Sequence, residues 1–270
     1  MRSALALTAV LLLSAAADAQ TQTPATAPSA PQPRDAAQPR PSGGQQQRLA
    51  PGMAVYTDEV LFGDVWRRSQ LSPRDRSLVT ISVLIATGKP QQLQGHLGRA
   101  LNNGVQAREA SGVLTHLALY SGWPSAVAAL DVYEQVYKAR NVDTTTLSAA
   151  LQALPANPSA ASHAREIEQR LGASAPKFAQ LTKDVVFDDL WRRPDLSVRD
   201  RSLVTIAALA GMGDDDQLDF YLRHGVENGL TRDQIAEALT HLAFYAGWSK
   251  ATKAMTATVR VLGSTPQAKE

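Results

Sequence analysis

The 270-residue chain contains no cysteine. That absence removes disulfides, thiolate metal ligands and thiol redox chemistry together. It also has little net charge: 27 basic side chains against 25 acidic ones leave only +2. Neither a nucleic-acid surface nor a polybasic membrane patch is implied. The N-terminal apolar run, residues 4–16, falls short of the ~20 residues that a spanning helix needs. At this length, however, there is ample material for one large core or two small ones.

The N-terminus has the features of an export signal. Arg2 supplies a positive n-region, residues 4–16 an apolar h-region, and Ala17-Asp18-Ala19 an A-x-A cleavage site. The expectation is a signal peptide over residues 1–19, a periplasmic or secreted mature protein, and no membrane attachment after cleavage. Residues 20–49 are rich in Pro, Gln, Ala, Thr and Ser. Such a segment buries too little surface to offset its ordering entropy, and is expected to be a disordered tether.

What is abundant is repetition. RDRSLVTI occurs at residues 74–81 and again at 199–206. Sliding the chain on itself by 125 positions also aligns FGDVWRR with FDDLWRR, Asn103-Gly104 with Asn228-Gly229, and THLALYSGW with THLAFYAGW, without a gap. The chain is therefore read as two copies of one unit, residues 50–138 and 175–263. A linker with one short helix near residues 161–171 joins them, and residues 264–270 form a tail.

Each unit reads as helical. Ser72-Pro73 is an N-cap followed by proline at the first helical position. Leu78, Val79, Ile81, Ser82 and Ile85 recur at helical spacing up to Gly88. Leu93, Leu97, Ala100 and Leu101 form a second stripe, closed by Asn103-Gly104. A third runs from Val113 to Tyr120 and stops at Gly122; its counterpart opens with Thr231 and Gln234 as a capping pair and stops at Gly247. Trp66, Trp123, Trp191 and Trp248 are expected in the core or an interface. No stretch alternates like a strand, so the expected fold is all-α.

These co-linear motifs, FGDVWRR, RDRSLVTI, HLGRALNNG and LTHLALYSGW, resemble the carboxymuconolactone decarboxylase family over both units. The resemblance implies a tandem of alkyl hydroperoxidase D-like helical units. It also implies a homo-oligomer, a trimer of two-unit chains forming a pseudo-hexamer, with sites at subunit contacts. In the hydroperoxidase branch, two cysteines and a glutamate accompany the histidine that matches His96. Here Lys89, Gln92 and Ser77 stand at those places, and in unit two Asp214, Gln217 and Ser202, with Tyr221 at the histidine position. Without a thiol, peroxide reduction by that route is excluded.

The decarboxylase branch implies a carboxy-lyase acting on a dianionic unsaturated lactone or related acid. The substrate is its own electron sink, so neither a metal nor an organic cofactor is called for. The protein must supply cations for carboxylates, a donor for the developing oxyanion, and an acid to reprotonate carbon. Arg74 and Arg76, with Arg199 and Arg201 in unit two, stand at helix starts where a guanidinium fork suits carboxylate. The alternative for such arginines is pairing with a neighbour such as Asp75. His96 is the candidate general acid/base, since imidazole titrates near neutrality. His116 and Tyr120, spaced i,i+4, are candidates for the same pocket, although His116 and His241 could equally be packing donors.

Unit two departs from the pattern: Tyr221 replaces His96 and His224 replaces Arg99, leaving both as candidate substrate contacts. Conversely, Glu237 stands where unit one has Gly112, i,i+4 from His241. Since neither unit holds the full set, the expectation is a composite site joining His96 with Glu237, within one chain or between chains. The rival is one decayed site that serves assembly. A metal on His224, Glu237 and His241 is poorly supported, because the spacing is not H-E-x-x-H. The readings carried forward are a cofactor-independent lyase, a non-catalytic module for an anionic small molecule, and, last, a thiol-free oxidoreductase.

Overall fold

The computed structural model describes residues 41–148 and 152–263. The expected signal peptide, most of the tether, and the tail lie outside the described residues. Residues 42–49 differ from the tether expectation. Ser42 donates to Asp58 through its backbone N and its hydroxyl, both at 2.8 Å, and helix α1 follows at Gly44–Leu49.

Unit one continues with α2 (Pro51–Val55), a π-helical turn (Tyr56–Leu61), a 3-10 turn (Val65–Arg67), and four helices. These are α3 (Pro73–Ala86), α4 (Pro90–Asn102), α5 (Ala107–Tyr120) and α6 (Trp123–Ala139). After α7 (Pro158–Leu171), unit two repeats the order: α8 (Pro176–Leu181), a π turn, a 3-10 turn, then α9 (Val198–Met212), α10 (Asp215–Glu227), α11 (Arg232–Ala246) and α12 (Trp248–Leu262). Among the described residues there is no strand. The fold is all-α and duplicated.

The caps show why the elements start where they do. Ser72 and Ser197 accept hydrogen bonds from the backbone N of Asp75 and Asp200 at 3.0 and 3.1 Å, each such cap being worth ~1 kcal/mol. Thr231 and Gln234 form a reciprocal capping box. Helix α7 begins three residues before the expected start, because Asn157 caps Ser159 and Ala160 and Pro158 takes the first helical position. Gly122 and Gly247, at φ 89° and 97°, turn the chain from the third helix of each unit into the fourth.

Helices α3 and α9 pack against each other at the centre and are buried almost all round. A helix apolar on every face belongs in a core rather than at its edge. Gly211 of α9 faces Val83 of α3, where a Cβ would sit in ordinary contact with the Val83 methyls at 3.4 Å. Each fully buried Leu or Ile, such as Leu78, Ile81, Leu203 and Ile206, stabilises the core by ~1.5–3 kcal/mol. The decisive feature is a crossing: α11 of unit two packs on α3 of unit one, and α5 of unit one packs on α9 of unit two. Only Trp191 of the four tryptophans is deeply buried; Trp66 is half-buried, while Trp123 and Trp248 are each 65% exposed.

Candidate active site

The crossing creates two clusters of polar side chains, related by the repeat and each built from both units. In the first, Arg76 of α3 is fully buried. Its Nη2 donates to Glu237 Oε1 and to the Arg68 carbonyl, both at 2.8 Å. Arg68 Nε donates to the same Glu237 oxygen at 2.9 Å. Burial pushes the Glu237 carboxyl up, but the hydrogen bonds and charges of Arg68 and Arg76 outweigh it and hold the group below its ordinary value. Glu237 is therefore a carboxylate rather than an acid.

One turn along α11, His241 Nε2 lies 2.8 Å from Thr80 Oγ1. The Thr80 hydroxyl already donates to the Arg76 carbonyl at 2.8 Å, so it accepts from His241. That fixes the tautomer and leaves Nδ1 as a bare acceptor. One further turn along, Tyr245 accepts from Trp66 Nε1 at 3.0 Å, and its ring stands 5.2 Å from that of His96 on α4. Arg76 Nε and Nη1, His241 Nδ1 and His96 Nδ1 are all buried and lack a hydrogen-bond partner among the described residues. Buried polar atoms are normally paired, and the cost of leaving them open is ~1–3 kcal/mol each. Four open atoms in one neighbourhood mark a place that an anionic or hydroxylated ligand would complete.

Both imidazoles are neutral at pH 7. Burial, with Arg99 adding, lowers His96 to about 4. Burial, followed by Arg76 and His96, depresses His241 well below the usual histidine range. The simple expectation that His96 titrates near neutrality does not hold for the free protein.

The second cluster has the same plan and a different outcome. Arg201 Nη2 donates to the Arg193 carbonyl at 2.6 Å and to Asp195 Oδ1 at 3.0 Å. Arg193 Nε and Nη2 hold the other Asp195 oxygen at 2.9 and 2.7 Å. Asp195 thus supplies the carboxylate that α5 lacks at Gly112, and a Cβ on Gly112 would come within 3.2 Å of the Asp195 carboxyl carbon. His116 Nε2 pairs with Thr205 at 2.8 Å, while its Nδ1 accepts from Arg201 Nη1 at 3.3 Å. Tyr221 fills the His96 position, and its hydroxyl meets Tyr120 OH at 2.7 Å, which also accepts from Trp191 at 2.8 Å. His224 is closed off by Ser159 of α7 at 2.7 Å. Only Arg201 Nε and His224 Nε2 stay unpartnered here.

The sequence candidates therefore fall into three groups. His96, Arg76, Glu237 and His241 come together. His116, Tyr120, Arg201, Tyr221 and His224 come together elsewhere, so His116 and Tyr120 do not share a pocket with His96; α5 carries them across to α9. Arg74 and Arg199 join neither cluster. Arg74 pairs with Glu109 at 2.7 Å and Asp200 at 2.9 Å, and Arg199 pairs with Asp75 at 2.7 Å. Their carboxylates are internal, and they tie the two helix starts together. Burial alone would lower both arginines, yet these acidic partners raise them. Thr80, Arg68, Trp66 and Tyr245 were not singled out from sequence as site groups. Tyr245 was findable, being the repeat equivalent of Tyr120 and i,i+4 from His241. Among the described residues no cluster of three or more His, Cys, Asp or Glu groups is placed to hold a metal.

The Carboxymuconolactone decarboxylase family model matches residues 51–135 and 176–260. The chain belongs to this family. It is 43% identical over 83 residues to 4-carboxymuconolactone decarboxylase of Acinetobacter baylyi, covering 31% of this chain and 62% of that protein. It is 35% identical over 85 residues to nitrosuccinic acid decarboxylase of Metarhizium robertsii, covering 32% and 59%. A 15.0 kDa uncharacterized protein of Paracoccus denitrificans is 27% identical over 93 residues, covering 34% and 69%. The matched part thus spans about three fifths of each named decarboxylase, and both names support a decarboxylase-like family.

Proposed function

We propose that the chain is a cofactor-independent carboxy-lyase for a small carboxylated lactone or related acid, working at the first cluster alone. The observation that carries this reading is the set of buried, unpartnered atoms on Arg76, His241 and His96 beside an ion-paired Glu237. The two named relatives act, by their names, on small acids, which suits the same chemistry.

In this scheme the open Arg76 Nε and Nη1 take a substrate carboxylate or oxyanion, with Glu237 holding the guanidinium in place from the other side. The C–C bond to the departing carboxylate breaks, carbon dioxide leaves, and the electron pair flows through the ring double bond onto the lactone carbonyl. The enolate then takes one proton at carbon. His96 supplies that proton. Neutral in the free protein, it gains the proton as an anion binds beside it, because a nearby negative charge favours the imidazolium. Binding is thereby coupled to proton uptake. His241, its Nε2–H fixed by Thr80, offers Nδ1 as an acceptor for a substrate hydroxyl or a protonated intermediate.

The test is carbon dioxide release from the carboxylated lactone by purified protein. Turnover that disappears in a folded His96→Ala variant supports the lyase. Tight binding with no turnover in the parent chain would replace it with the anion-binding module. Export to the periplasm and a trimeric assembly belong to the same proposal. The exposed stripe of Trp123, Val127 and Leu130 on α6 is a suitable contact face, and light scattering would measure the assembly.

A further inference from the structure

We infer that Arg99 is the specificity residue of the first cluster, holding a second carboxylate of the ligand at the mouth while Arg76 holds the inner anionic group. This rests on the lyase reading above and deepens it by assigning a residue to the second charge of the dianion that the family resemblance implies.

Its placement supports this. Arg99 lies on α4, three residues after His96, and its side chain is exposed. Its guanidinium sits over two aromatic faces, 4.8 Å from the centre of the Phe62 ring and 5.4 Å from that of Trp66. Those rings are themselves stacked at 5.9 Å, and Trp66 in turn packs edge-on against His241 at 4.9 Å. The cation is therefore held in one place beside the cluster instead of sweeping through solvent.

Arg99 also has no carboxylate partner among the described residues, unlike Arg68, Arg74, Arg76, Arg199 and Arg201. A guanidinium held over aromatic rings still has N–H donors to offer a planar carboxylate. The repeat offers a built-in contrast. At the equivalent position, His224 is 1% exposed and bonded to Ser159. The pinned, unpaired cation exists at the open cluster and is missing from the closed one.

The experiment compares succinate with butyrate, which differ by one carboxylate on the same carbon chain. Calorimetric titration of the full chain should give tighter binding for succinate. Arg99→Gln should weaken succinate about tenfold and leave butyrate within about twofold. Arg99→Lys, which keeps the charge and loses the planar stack, should recover part of the difference. Equal effects on both acids, no effect on succinate, or no succinate preference in the parent chain would each overturn the assignment. The two readings separate cleanly. A parent chain that turns over the lactone but does not prefer succinate, or an Arg99→Gln variant that keeps the preference, removes Arg99 and keeps the lyase; a succinate preference that depends on Arg99 in a parent chain without turnover does the reverse.

Discussion

The two clusters began as copies, and their differences come down to where a carboxylate and an aromatic hydroxyl are placed. In the first, the carboxylate reaches the buried arginine from α11, through Glu237. In the second it reaches from the loop before α9, through Asp195, and the helix position has shrunk to Gly112. The arginine is neutralised either way. What changes is the remaining face of the site: Tyr221 bonded to Tyr120 closes one, whereas His96 leaves the other with open polar atoms. A duplicated unit can therefore retain an ion pair at both places while the remaining polar atoms are partnered to different degrees: among the described residues, four stay open at the first cluster and two at the second.

The largest expected effect on this comparison is on turnover. His96→Ala should lower kcat with the lactone by ~10²–10⁴, the usual worth of general acid–base catalysis. Tyr221→Phe, at the equivalent place, should change it by less than about twofold; a matching loss in both would make the clusters functionally alike. Next comes stability. Glu237→Ala and Asp195→Ala each strand a buried guanidinium and should each cost ~3–5 kcal/mol in denaturant unfolding. Adding Gly112→Glu to Asp195→Ala, which removes the side-chain atoms that a Cβ at 112 would meet, should recover much of the second loss by returning the carboxylate to the helix.

A smaller effect is expected from pH. His96, His116 and His241 all have values lowered by burial, so the unfolded chain binds more protons than the folded one below the ordinary value of 6.5. Their contribution is fully present above that value. It is lost as pH falls, with His96 protonating near 4. Thermal melts from pH 7 to 4 should show falling stability, less steeply in a His116→Gln, His241→Gln double variant. The smallest pair is Ser72→Ala and Ser197→Ala. Each should cost ~1 kcal/mol, and equally, because the two caps are the part of the repeat that has not diverged.

Much of the fold could be read from sequence because helical spacing and caps are local signals. The octapeptide, Ser72-Pro73, Thr231 with Gln234, and the 125-residue displacement suffice for an all-α duplication. The candidate site was only partly readable. The complementary loss of His96 and Glu237 suggested a composite; in the structure Glu237 pairs with Arg76, while His96 stands against Tyr245 two turns further along the same helix α11. Nothing local marks the packing of α5 and α11 on both α3 and α9, so spacing alone could not tell which cluster His116 and Tyr120 join. Arg74 and Arg199 look as available as Arg76 and Arg201 in sequence. Their pairing with the adjacent Asp75 and Asp200 could be read from sequence, but the cross-unit bonds to Asp200 and Asp75 span 126 and 124 residues, beyond any spacing argument.

The packing of each third helix on both central helices also bears on how such a chain can be divided. Each long central helix is clothed by a helix encoded in the opposite half of the gene, so neither half carries a complete interior. Cut between residues 148 and 152 and produced as two polypeptides, the halves should be insoluble or unfolded alone. Mixed, they should reassemble as a split protein, because the only surface that satisfies either fragment is the other one.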